Sequence, residues 1–178
     1  MKIIVLGPQG SGKSTQAKLI ADFLGVPCLS VGDLLYFASQ EESEQSREIK
    51  RIMDSGQLVD DDLTLKVLKE QLESDNYQKG VIIDGFPRCL SQAKAFKIQI
   101  DKVIYIKVSD EVGKERLLKR QRKDDTPEGI RQRLQLYHQE TVPVLDFYKE
   151  NGILIEVNGE QSIEKIHEDI LKLLGLNQ

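Results

Sequence analysis

The residues Gly7-Pro8-Gln9-Gly10-Ser11-Gly12-Lys13-Ser14-Thr15 follow directly on the apolar run Ile3-Ile4-Val5-Leu6. A short apolar run rich in β-branched side chains reads as a strand buried on both faces. The glycines after it permit a turn tight enough for backbone N–H groups to converge on an anion. The helix expected from Thr15 to Leu24 points the positive end of its dipole at the same spot. Lys13 supplies a point charge for β and γ phosphates, and the Ser14 hydroxyl is placed to ligate Mg²⁺. This succession of strand, phosphate loop and helix commits the chain to an α/β architecture and implies that it binds a nucleoside triphosphate.

The rest of the chain repeats that alternation. Apolar runs at Ile3–Leu6, Val81–Ile83, Val103–Val108 and Ile153–Val157, with a shorter one near Cys28 and Leu29, read as buried parallel strands. Helical periodicity covers Asp33–Ser55 as a pair, then Asp61–Ser74, Ser91–Lys97, Asp110–Arg120, Glu128–Lys149 and Ser162–Leu174. In the long helix after Pro127, Ile130, Leu134, Tyr137, Thr141, Val144 and Tyr148 form one stripe, expected to be core, and Pro143 is expected to kink it. A length of 178 residues suits one domain, 1–178. No apolar run is long enough to span a bilayer, and the apolar start is too short for a signal peptide, so the expected location is the cytoplasm, away from membranes. Cys28 and Cys89 have no metal-ligand or C-x-x-C spacing and are read as reduced and structural, with a reactive thiol at Cys89 as the alternative. A net charge of −4 argues against nucleic acid as a partner. His138 and His167 read as helix residues without an acid–base partner.

Two further segments carry chemistry. In Ile82-Ile83-Asp84-Gly85-Phe86-Pro87-Arg88 a carboxylate leaves the end of a buried strand, where Asp84 can hold Mg²⁺ through water. Gly85 and Pro87 shape the turn that lets Arg88 offer its planar fork to a phosphate. From Gly113 to Arg133 the chain carries a net +4, including Arg116, Arg120, Arg122, Arg131 and Arg133. Phosphoryl transfer depends on cations converging on the migrating group, which is the use these arginines suggest. Asp110-Glu-Val-Gly113 matches a GTPase D-x-x-G switch, but no N-K-x-D motif accompanies it, and the segment reads as a helix start.

Five motifs, in order and at matching spacings, resemble the adenylate kinase family: Gly7 to Gln16, Ser30-Val-Gly-Asp-Leu-Leu35, Gly56-Gln-Leu-Val59, Asp84 to Arg88 with Gln92, and Arg116 to Arg120. The tail Thr141-Val-Pro-Val-Leu-Asp-Phe-Tyr and Val157-Asn-Gly fit as well, so the resemblance covers essentially the whole chain. It implies a three-layer P-loop NTPase-type fold with a central parallel five-stranded sheet. A helical monophosphate-binding insert over about 30–59 and a short lid over about 120–127 go with it. The implied reaction is ATP + AMP ⇌ 2 ADP with Mg²⁺, by a monomer. Lys13 then resembles the lysine that follows the transferred group, and Arg88, Arg120, Arg122 and Arg133 the phosphate clamps. Gly7 to Thr15, Arg116, Arg120 and Gln161 are implied for ATP, with Arg116 packing on its base. For AMP the implied residues are Val31, Tyr36, Gln57, Leu58, Val59, Gly85, Phe86, Pro87, Arg88, Gln92, Arg122 and Arg133, with Gln92 reading the adenine edge. Asp124 and Asp125 resemble lid carboxylates that orient arginines. The stretch from Arg120 to Asp124 is too short for a long lid or a four-cysteine zinc lid, so no structural zinc is expected.

The chain departs from the family pattern in three places. Ser14 replaces a usual glycine, Val31 a common threonine, and Tyr36 the arginine that grips the AMP phosphate. A phenol cannot form a charge-assisted bidentate clamp, and the loss is worth about 2 kcal/mol unless Arg47 or Arg51 compensates. Cys89 stands where a pyrimidine-specific relative has asparagine, which favours AMP. A UMP/CMP or other small-acceptor kinase is the first alternative, and a catalytically weak nucleotide-binding regulator the second. The segment 41–62 carries a net −5, and attraction to the basic segment is expected to assist closure over the nucleotides.

Overall fold

The computed structural model describes residues 1–54, 59–120 and 125–176. In chain order the first elements are β1 (Lys2–Leu6), α1 (Lys13–Leu24), β2 (Cys28–Ser30), α2 (Val31–Ala38), α3 (Glu44–Asp54), α4 (Asp61–Leu72) and β3 (Val81–Asp84). They are followed by α5 (Leu90–Ala95), β4 (Lys102–Lys107), α6 (Asp110–Arg120), α7 (Pro127–Leu136), α8 (Val142–Glu150), β5 (Leu154–Asn158) and α9 (Ile163–Leu173). Among the described residues the strands form one all-parallel sheet in the order β2-β3-β1-β4-β5.

Strand β1 lies at the centre, and its residues alternate between two cores as the pleat dictates. Ile4 and Leu6 join the face covered by α2, α3, α4, α5 and α8, with Leu35, Ile49, Leu68, Phe86, Phe96 and Val144. Ile3 and Val5 join the other face, where Ala17 and Ile20 of α1 and Ile166 and Ile170 of α9 pack. The result is helix, sheet, helix, as expected for parallel strands buried on both sides. A small third cluster, Leu117, Ile130 and Leu134, joins α6 to α7.

The register fixes what stands beside the glycine loop. Val5 pairs with Asp84 on one side and with Ile104 on the other, so the sheet's carboxyl edge carries the loop and the Asp84 carboxylate side by side. In open parallel sheets this edge, where the strand order reverses, is where ligands bind.

The long helix expected from Glu128 to Lys149 is interrupted. Between α7 and α8 the chain widens into a π turn over Tyr137–Thr141. Pro143 has no N–H to donate and its ring would crowd the carbonyl four residues back, and the wider turn accommodates both constraints. Of the expected stripe, Ile130, Leu134, Tyr137, Val144 and Tyr148 are buried, whereas Thr141 is only half-buried.

Candidate active site

A cleft of about 1300 Å³ opens at the sheet's carboxyl edge. Its floor is the glycine loop: Gln9, Gly10, Gly12, Lys13, Ser14 and Thr15 line it, while Gly7, Pro8 and the fully buried Ser11 form the underside. Gly10 has φ +82°, and a Cβ there would collide with the backbone of Gly113 in α6. The loop and α6 thus meet backbone to backbone. The Gly113 that imitated a GTPase switch serves this close approach, and Asp110 is the first residue of α6.

Lys13 Nζ donates to the Pro8 carbonyl at 3.4 Å. Although the residue as a whole is half-exposed, its ammonium sits at the floor of the cleft, and burial pulls its pKa below the ordinary lysine value. Asp84 opposes that shift, and Arg88, Arg120 and Arg133 reinforce it. Asp84 is 6% exposed, and its Oδ1 is buried without a hydrogen-bond partner among the described residues. A buried carboxylate oxygen left in that condition is costly unless a cation or water completes it. Asp84 and the exposed Ser14 line the same cleft, and an oxygen donor set of this kind suits Mg²⁺.

At Gly85 the chain takes φ +79° and turns away from β3, and the Phe86–Pro87 peptide is cis. Arg88 Nε donates to the Gly85 carbonyl at 3.1 Å, which holds the side chain along the cleft wall. From the other direction the Thr141 hydroxyl donates to the Arg88 carbonyl at 2.7 Å, so the π turn steadies this arginine from behind.

The basic segment supplies three more cations to the cleft: Arg116, Arg120 and Arg133. Arg116 spans two loops, donating to the carbonyls of Gly159 at 2.9 Å and Gly10 at 3.4 Å. Asp125, whose side chain is wholly buried, accepts a bidentate pair from Arg120 with both contacts at 2.8 Å, and a further bond from Arg133 at 2.9 Å. One carboxylate therefore gathers two guanidiniums from two helices, a geometry that favours planar recognition.

A smaller cavity adjoins the cleft, lined by Val31, Leu35, Val59, Thr64, Gly85, Phe86, Arg88 and Gln92. Gln92 is buried at 2% exposure; its Oε1 accepts from the Arg88 N–H at 2.8 Å and its Nε2 donates to Asp61 Oδ1 at 2.8 Å. Asp61 also accepts from the Ser91 hydroxyl and the Cys89 thiol. Burial works against its ionised form, but these hydrogen bonds outweigh it and hold Asp61 below the usual aspartate range. Burial first, and Asp61 after it, push the Cys89 thiol up, and burial raises Cys28 to about 11. Neither thiol is a ready nucleophile at neutral pH.

The cleft does not gather every residue the sequence singled out. Tyr36 is 54% exposed, its ring edge-on to Phe37 with centroids 5.9 Å apart, and it does not line the cleft. Arg47 and Arg51 are exposed on α3 and do not line it either. Gln161 Nε2 donates to the Asn158 carbonyl and to Asp169, away from the cleft. Gln57, Leu58, Arg122 and Asp124 lie outside the described residues. His138 does have a partner: its Nε2 lies 2.9 Å from Asp110 Oδ1, a contact across 28 residues of sequence that helical spacing could not reveal. The cleft also contains Lys18 and Lys66, which nothing in the motifs marked.

The family model described as adenylate kinase matches residues 5–153. The chain is 43% identical to an adenylate kinase of Trichodesmium erythraeum over 178 aligned positions, covering 93% of each chain. It is 38% identical to adenylate kinase 1 of a Nostoc species, covering 98% of each. An adenylate kinase of Clostridium botulinum is 35% identical over 213 positions, covering 98% of this chain and 99% of that one. Likeness of this extent, running through the glycine loop, the Asp84 turn and the basic segment alike, shows that the chain belongs to the adenylate kinase family.

Proposed function

We propose that the chain catalyses reversible transfer of the terminal phosphoryl group of Mg-ATP to AMP, giving two ADP. The observation that carries this reading is convergence: the glycine loop with Lys13, the unpartnered carboxylate oxygen of Asp84, and Arg88, Arg120 and Arg133 all face one cleft. Phosphoryl transfer asks for little covalent work from a protein and depends on positioned charge. The loop N–H groups hold the β and γ phosphates, whose negative charge opposes the lowering of the Lys13 pKa that burial causes. Arg120 and Arg133, oriented by Asp125, face the migrating group from one side, and Arg88 faces the acceptor phosphate from the other. Asp84, through water, and Ser14 would hold Mg²⁺, which supplies charge neutralisation at the phosphate oxygens. The smaller cavity, about 10 Å³ in volume, widens to take the acceptor base against Val31, Val59, Phe86 and Gln92, and Arg116 with the Gly10 and Gly159 loops takes the ATP base.

In this reading α2 and α3 belong to a monophosphate-binding insert over about 30–59, and residues about 120–127 form a short lid that excludes water from the γ phosphate. Arg122 and Asp124 are proposed to act with that lid, and Gln57 and Leu58 to serve AMP binding; all four lie outside the described residues. The protein works as a cytoplasmic monomer, a setting that fits two cysteines left unpaired.

ADP formation measured with Mg-ATP and, in parallel, AMP, dAMP, UMP, CMP, GMP or no acceptor tests the proposal. Rapid turnover with AMP is expected. Preference for UMP or CMP would overturn the acceptor assignment, and uniformly slow turnover despite tight ATP binding would make the chain a nucleotide-binding regulator.

A further inference from the structure

Three consecutive aspartates open α4, and they do different things. Asp60 caps the helix, its Oδ1 accepting from the N–H groups of Asp62 at 3.0 Å and Leu63 at 3.3 Å. Asp61 instead reaches the start of α5, where it accepts from Gln92 Nε2, the Ser91 hydroxyl and the Cys89 thiol. A side-chain amide fits most sites in two orientations that exchange its oxygen and its NH₂. Gln92 is denied that exchange at both ends. The Arg88 N–H against Oε1 can only donate, and the ionised carboxylate against Nε2 can only accept. One acceptor site on Oε1 and one N–H on Nε2 remain, on a residue that lines the smaller cavity beside Val31, Val59 and Phe86.

We propose that Asp61 is a specificity-determining, positioning residue: by fixing the Gln92 amide it makes the acceptor cavity select a 6-aminopurine over a 6-oxopurine. The inference rests on the reading that this cavity takes the acceptor base. A 6-aminopurine presents a donor at its amino group and an acceptor at N1, matching Oε1 and Nε2 as they are held. A 6-oxopurine presents the reverse, so a fixed amide meets oxygen with oxygen and N–H with N–H. Without the carboxylate only the Arg88 N–H still opposes the turned amide, so turning over to satisfy the 6-oxopurine costs less, and unmatched buried polar groups are what make such discrimination large. Asp61 touches no nucleotide in this scheme, because Gln92 stands between them.

The test is kcat/KM for AMP and for IMP at saturating Mg-ATP, in the parent, Asp61→Ala, Asp61→Asn and Ser91→Ala. The asparagine variant keeps the side-chain shape but, able to accept or donate, no longer forbids the turned amide. Asp61→Ala is decisive, and Asp61→Asn takes its place if the alanine variant does not fold. The AMP-to-IMP ratio is expected to fall by about fivefold or more, with the KM for ATP unchanged, while Ser91→Ala stays within about twofold of the parent. A smaller fall, an equal loss for both nucleotides, or a parent without preference for AMP over IMP would overturn the inference. A parent with no AMP turnover would instead overturn the proposed function beneath it.

Discussion

Desolvation at the cleft floor makes the Lys13 ammonium a burden to the empty protein and an asset to the loaded one. Its folded-state pKa lies below the ordinary 10.5, chiefly through burial, with three arginines adding to the shift. The destabilisation is therefore fully present at pH values below that lowered pKa, and it is relieved as pH rises from there to 10.5. Lys13→Met is expected to raise the melting temperature of the nucleotide-free protein and to flatten its alkaline stability profile. The same change should lower kcat by about 100- to 1000-fold, the scale of losing one preorganised charge at a developing anion. Thermal melts with and without ATP, beside a coupled ADP assay, check all three effects. On the acceptor side, Tyr36 offers no charge, but the exposed Lys66 lines the cleft and donates to Gln45 Oε1 at 3.2 Å. Lys66→Gln should raise the KM for AMP by about two- to fivefold with kcat nearly unchanged, as removal of one solvent-screened charge would.

Buried parallel strands announce themselves as uninterrupted apolar runs, and for that reason β1, β3, β4 and β5 were readable to within a residue or so at each end. The apolar stripe of α7 and α8 was readable too, but not the π turn between them. The spacing of buried residues continues across that turn, and only Pro143 hints at the missing hydrogen bond. The turn has a consequence at the site, since it brings the Thr141 hydroxyl onto the Arg88 carbonyl. Thr141→Val keeps the side-chain shape and β-branching while removing that donor. It is expected to cost about 1 kcal/mol of stability, the ordinary worth of one such bond. It should also raise the KM for AMP, because Arg88 loses support from behind; urea unfolding and steady-state kinetics give the two numbers. Asp61 shows the same limit of sequence reading. A carboxylate in the first turn of a helix looks like a response to the helix dipole, and nothing local says that it reaches α5.

On the scale of the whole molecule, charge is sorted by place. The chain carries a net −4, yet the described residues lining the cleft set Lys13, Lys18, Lys66, Arg88, Arg116, Arg120 and Arg133 against Asp33, Glu41, Glu70 and Asp84, a net +3. The glycine loop, Asp84, Arg88 and the basic segment were legible because each announces itself in local sequence. Lys18 and Lys66 were not, because only the packing of α1 and α4 beside the loop brings them to the cleft. Low-dielectric walls around a positive floor focus the field outward and draw in polyphosphates, while the acidic remainder of the surface repels them from other sites. Segment 41–62, at net −5, and the basic segment 113–133, at net +4, carry opposite charge, and we propose that they attract one another as two arms of the protein. Some of these groups are engaged locally without changing the net charges, Asp61 by Ser91 and Gln92, and Glu128 by Arg131 at 2.6 Å. Raising salt from about 0.05 M to 0.5 M shortens the screening length several-fold. ATP association should then slow and the apparent AMP affinity should weaken by several-fold, whereas adenosine, which lacks the phosphate, should bind unchanged. Stopped-flow binding of a fluorescent ATP analogue, with titrations of AMP and adenosine across the salt series, separates the contributions. If AMP affinity loses more in a two-substrate titration than in the ATP-free protein, the excess belongs to the two arms drawing together. Equal losses would leave the field of the cleft as the whole effect, and constant affinities would remove long-range charge from the account.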